Sequence, residues 1–145
     1  MGSRFENLCG ARGPLKQEPA DEQEIAGLRR SAVARLEDAR NKKLSVDSRF
    51  DLAYGAAHAL STAALRCHGY RASQRYIVFQ LLEDTLGLPP KTWRVLDESH
   101  RLRNLAEYEG ELNATVELVE EVIAICVTLI ARLDDVISRT FSRKK

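Results

Sequence analysis

Between Ser45 and Gly69 the chain sets Ala53, Gly55, Ala56, Ala57, Ala59, Ala63 and Ala64 within a dozen positions. Such a run has no turn signals inside it and no strand period. It reads as one helix, about residues 46–68, with Ser45 as N-cap, Asp47 in the first turn and Gly69 as the stop. Small side chains let a neighbouring backbone come close, so this helix belongs at the centre of a bundle. That requirement shapes the reading of everything around it.

Four more segments carry the apolar period of a helix. Residues 21–40 place Ile25, Leu28, Ala32, Leu36 and Ala39 at three- and four-residue steps, with Asp21, Glu22 and Glu24 at the positive end of the helix dipole. Residues 73–86 carry Tyr76, Ile77, Phe79, Leu81 and Leu82 and end at Gly87-Leu-Pro-Pro90. Pro90 opens a fourth helix, to about Tyr108, which Gly110 breaks. Asn113 is the expected cap of a last helix, about 114–140. No segment alternates with period two. The expectation is an all-α, antiparallel bundle of about five helices, with the second, fourth and fifth central. Residues 1–20, punctuated by Gly2, Gly10, Gly13, Pro14 and Pro19, read as a flexible tail, 21–141 as the domain, and 142–145 as a basic tail.

Composition narrows the classes. A length of 145 residues is one domain, and a net charge of +1 argues against a general polyanion binder while leaving room for a local basic patch. Cys9, Cys67 and Cys126 have neither zinc nor disulfide-framework spacing, which fits reduced thiols in a cytoplasm. The longest apolar run, 122–131, is too short to cross a bilayer, so no membrane is expected. No cofactor or metal is expected: His58, His68 and His100 lack metal-site spacing.

The chemistry concentrates in His100-Arg-Leu-Arg-Asn-Leu-Ala-Glu-Tyr-Glu-Gly110. On the fourth helix Val95, Ser99, Leu102 and Ala106 share one face, the expected core stripe, with Leu105 beside it. A second stripe holds Leu96, His100, Arg103 and Glu107, with Trp93 and Asn104 at its edge. His100, Arg103 and Glu107 are spaced to touch. That face is either a solvated surface with an Arg–Glu pair, or a groove or dimer seam. His58 reads as a core or interface histidine, His68 as a helix C-terminal charge and Trp93 as a packing anchor. The Arg71-Ala-Ser-Gln-Arg75 loop is either a solvated connector or a phosphate contact. The last helix is apolar over more than one face, which points to a partner helix or a dimer.

The Arg103-Asn104 pair, with Tyr108 four residues on, resembles the signature of HEPN domains, small helical bundles tied to RNA cleavage and to toxin–antitoxin pairs. There an arginine and a polar residue precede a histidine, and here Tyr108 stands in its place. The resemblance spans about residues 20–137. It includes Phe50-Asp-Leu-Ala-Tyr-Gly-Ala-Ala-His-Ala-Leu60 and Arg66-Cys-His-Gly-Tyr70, which are similar to the helix that packs on the motif helix. It is closest to bacterial toxin-like members, some of them paired with a minimal nucleotidyltransferase as antitoxin. What it implies is a homodimer with two motifs meeting at one groove, and metal-free cleavage in which a histidine activates the ribose 2′-hydroxyl while arginine steadies the phosphate. Tyrosine, with an ordinary pKa of about 10, is a poor base at neutral pH. The implied function is therefore an RNA-associated or toxin–antitoxin-type protein with catalysis degraded or absent. One alternative is an active metal-independent endoribonuclease using Arg103 with His100 or Tyr108. The other is an interaction module for a partner such as a nucleotidyltransferase. The candidate site is His100, Arg103, Asn104 and Tyr108.

Overall fold

The computed structural model describes residues 4–142. Met1–Ser3 of the expected N-terminal tail, and the Arg143-Lys-Lys145 end of the expected basic tail, lie outside them. The chain is mostly helical: α1 (Arg4–Asn7), α2 (Glu22–Ala39), α3 (Val46–Cys67), α4 (Ile77–Gln80), α5 (Leu82–Leu86), α6 (Pro90–Glu109) and α7 (Val116–Phe141). A two-stranded antiparallel sheet, β1 (Leu15–Gln17) on β2 (Tyr70–Ala72), joins them, with Leu15 opposite Ala72.

The long helices begin where their caps demand. Asp21 accepts the Gln23 and Glu24 amides, and Ser45 accepts that of Ser48. The last helix starts later than expected because Thr115, not Asn113, accepts the Leu118 amide. The expected third helix divides into α4 and α5 at Leu81, which leaves helical geometry with φ −95° and ψ 6°. Ile77, Val78, Phe79, Leu81 and Leu82 are all buried. A single straight helix cannot turn them all inward, and the break does.

The small-residue helix is central. Along α3, Ala53, Ala56, Ala57, Ala59, Ala63 and Ala64 are buried, with α2 and α7 packed against it. Of the other two helices expected at the centre, α7 packs on α3 but α6 is peripheral, with only Leu96 and Ser99 buried. The inward face of α6 is thus rotated from the expected stripe, with Leu96 inside, Ser99 as expected, and Val95, Leu102 and Ala106 half-buried. Most of the wide apolar surface of α7 is covered within the chain, through Val119, Val122, Ile123, Cys126, Leu129, Leu133 and Val136. Val116 and Val127 remain exposed. A bidentate pair from Arg29 to Asp134, at 2.6 and 2.9 Å, ties α2 to α7.

Residues 4–20, expected as a tail, fold onto the helices. Leu15 is buried, and Phe5 packs at a tilt against His68 and Tyr70. The anchor is Arg66, only 1% exposed. Its guanidinium donates to the carbonyls of Glu18, Pro19 and Tyr70 and to the Glu24 carboxylate. A buried charge is tolerated only when paired and hydrogen-bonded, and here the N-terminal segment supplies the partners. Arg71 adds bonds to Glu18 and Glu24. At Gly13 a Cβ would collide with the Leu8 carbonyl oxygen, so the turn into β1 needs glycine.

Candidate functional site

Sequence placed His100, Arg103, Asn104 and Tyr108 together, and the fold gathers three of them. His100 lies on α6 facing α3. Its Nδ1 is 2.8 Å from the Tyr54 hydroxyl, and its Nε2 is 3.0 Å from the Asn104 amide nitrogen. With that amide at Nε2, Nε2 accepts, while Nδ1 carries the proton and donates to Tyr54. Arg103 lays its guanidinium over the Tyr54 ring, 5.2 Å from its centre, in cation–π geometry. Its carboxylate partner is Asp51 of α3, at 3.7 Å, and not the Glu107 that the spacing offered.

Tyr108 is turned away from Arg103. It is 90% exposed and shares a patch with Leu102, Asn104 and Leu105, bordered by Glu98 and Arg101. Helical geometry explains the separation: five residues turn the side chain about 140° from Arg103.

Around Tyr54 gathers a set that the motif alone did not reveal. Tyr54 stacks on Phe50, His58 and His100, and meets Phe79 edge-on. Tyr76, at the start of α4 and 37% exposed, tilts over His100. The Arg75 guanidinium lies close enough that its charge bears on Tyr54, His58 and His100. Tyr54, Arg75 and Tyr76 were absent from the candidate site. The four-residue spacing of Tyr54 and His58 on one face of α3 was the available signal.

The electrostatics follow from burial and from those arginines. Burial pushes His58 down to about 4, and the Arg75 charge pushes the same way. His100 is also lowered, first by burial and then by Arg75 and Arg103, with Asp97 opposing. Burial raises Tyr54, with the Arg75 and Arg103 charges opposing. The pocket wall is therefore made of neutral imidazoles beside two guanidinium groups.

On its other side Arg103 borders an acidic cleft of about 360 Å³ lined by Asp47, Asp51, Glu107 and Glu111. An anion reaches Arg103 with less repulsion from the Arg75 side. Among the described residues no group of three or more His, Cys, Asp or Glu side chains is placed to hold a metal ion. The cysteines are unpaired, and burial pushes Cys67 up to about 11 and Cys126 to about 12. Among the described residues no helix is long and apolar enough to cross a membrane.

No family model matches the chain, no curated protein matches it, and no solved structure matches it.

Proposed function

We propose that this is a HEPN-like, RNA-associated protein of toxin–antitoxin type that holds RNA without cleaving it. The observation that carries the reading is the state of His100. Both its ring nitrogens are engaged, by Tyr54 and Asn104, and its pKa is lowered. A general base needs an open lone pair within reach of the proton it takes. Here the lone pair on Nε2 already accepts from Asn104. Tyr108, the other candidate base of the ribonuclease alternative, lines a patch with Asn104 and Leu105 that does not include Arg103.

The same cluster suits binding. Arg75 and Arg103 offer guanidinium forks for phosphate oxygens, and the half-exposed Tyr76 beside them offers a stacking face for an unpaired base. The test is a pair of assays on one preparation: anisotropy with a fluorescent single-stranded RNA, and gel analysis of the same RNA after long incubation with EDTA. Saturable binding with intact RNA is expected. Cleavage lost in Arg103→Ala would instead establish the metal-independent ribonuclease.

One observation favours protein docking as a second reading. Leu105, 50% exposed, and Tyr108 make an apolar patch on α6 with charged borders. In this reading the patch is the seam of a homodimer, or the face met by a nucleotidyltransferase-type antitoxin. Light scattering of the wild type and of Leu105→Glu separates these cases. A dimer that the substitution splits supports the seam, and a wild-type monomer removes it.

A further inference from the structure

Polar and charged groups face the His100 ring from every element packed on it. From α3 come the Tyr54 hydroxyl at Nδ1 and the charge-sensitive neighbour His58. Tyr76 tilts over the ring from the start of α4, and the Arg75 charge comes from the loop before it. Its own helix supplies Asn104 at Nε2, the Arg103 charge, and the carboxylates of Asp97 and Glu107. Burial, Arg75 and Arg103 favour the neutral ring, and the two carboxylates oppose them. Among the described residues Arg75 forms no ion pair, and Arg103 meets its carboxylate, Asp51, at 3.7 Å.

We propose that an anion held by Arg75 and Arg103 drives proton uptake by His100, with the Asn104 amide turning over to accept the new N–H. Geometry is the first reason. Neutral His100 accepts at Nε2 from the Asn104 nitrogen, 3.0 Å away. A protonated ring donates at both nitrogens. Nδ1 already donates to Tyr54, so that contact survives the change. Asn104 carries donor and acceptor on one planar group, and a half-turn puts its oxygen where its nitrogen stood. The side chain is exposed, which leaves room for the turn. Charge is the second reason. The two guanidinium groups are like charges that oppose a charged ring, and an anion between them offsets both and attracts the imidazolium. The proton comes from solvent, and no covalent bond but the new N–H forms. With an RNA phosphate as the anion, the coupling rests on the RNA reading and makes binding tighter in mild acid. The His100 pKa is then higher in the complex than in the free protein. Affinity is greatest below the free pKa, falls as pH rises towards the bound pKa, and is level above it.

The probe is an oligouridylate with hydroxyl ends, whose phosphodiesters and bases keep their charge near neutrality. Anisotropy gives its affinity for the full chain at constant ionic strength from about pH 5 to 8, the range in which histidine changes charge. Ring ¹⁵N resonances follow His100 with and without RNA, and with sulfate against chloride at equal ionic strength. Affinity is expected to rise towards acid by at most about tenfold per pH unit, the limit for one proton. RNA is expected to raise the His100 pKa, and His100→Gln to flatten the profile. Asn104→Asp, a fixed acceptor at Nε2, is expected to raise the His100 pKa in the free protein. Binding that is equal at every pH, with the His100 titration unmoved, overturns the coupling and leaves RNA binding standing. A slope that persists in His100→Gln overturns it too. No binding at any pH removes the RNA reading, and sulfate then decides the coupling: a raised His100 pKa supports it, and an unmoved one ends it.

Discussion

The Tyr54 hydroxyl sits 2.8 Å from Nδ1 of His100, joining the small-residue helix to the motif helix through one polar contact in an aromatic wall. That contact orients the imidazole and leaves its other nitrogen to Asn104. The site's behaviour follows from which groups are already satisfied and which are open.

Placing a histidine at position 108 is expected to leave the protein inactive. Tyr108→His restores the family pattern in sequence, but the side chain stands with Leu102 and Leu105, away from Arg103. RNA incubated with the variant should remain full length on a denaturing gel. Appearance of cleavage products would mean that α6 turns or pairs so as to bring position 108 to the phosphate.

RNA affinity should fall with salt, and the slope should report the arginines. For single strands each neutralised phosphate contributes roughly 0.7 to the slope of log K against log salt. Arg103→Ala and Arg75→Ala should each lower the slope by about that amount without changing the circular dichroism spectrum. An unchanged slope in both variants would remove these two residues from the interface.

Stability should decline in mild acid because His58 is held neutral. Its folded pKa is about 4 against an ordinary 6.5, so the unfolded chain takes up the proton first. The stabilisation is present above pH 6.5 and is lost as pH falls towards 4. The shift sets an upper limit of about 3 kcal/mol on that loss. Denaturant titrations at several pH values should show this slope in the wild type and a shallower one in His58→Gln. Parallel curves would mean that other groups carry the acid sensitivity.

Arg66→Met should destabilise the fold by about 3–5 kcal/mol, because Glu24 and three backbone carbonyls lose their buried donor. Urea unfolding measures the loss, and early proteolysis near residues 10–20 locates it. A loss below about 1 kcal/mol would show that water replaces the guanidinium readily.

The helices were legible because period and punctuation agreed. Asp21, Ser45, Gly87 and Gly110 mark ends that the structure keeps, and α2, α3 and α6 match their expected bounds to within a residue or so. The N-terminal segment was not legible. Its hold depends on a strand of three residues and on an arginine far along the chain, and neither leaves a local apolar pattern. In the site, Arg103 was found by motif and His100 by its three-residue spacing from it, but their orientation was set by the rotation of α6 about Leu96. Asp51 won Arg103 over Glu107 because α3 packs alongside, which spacing within one helix does not encode.

The grip of Arg66 also imposes an order on biosynthesis. Pro19 leaves the ribosome 47 residues ahead of the guanidinium that will hold it. At about 5–20 residues per second, that segment spends several seconds without its partner. During that interval a chaperone or a protease meets the first strand as an extended peptide, and capture by Arg66 ends the opportunity.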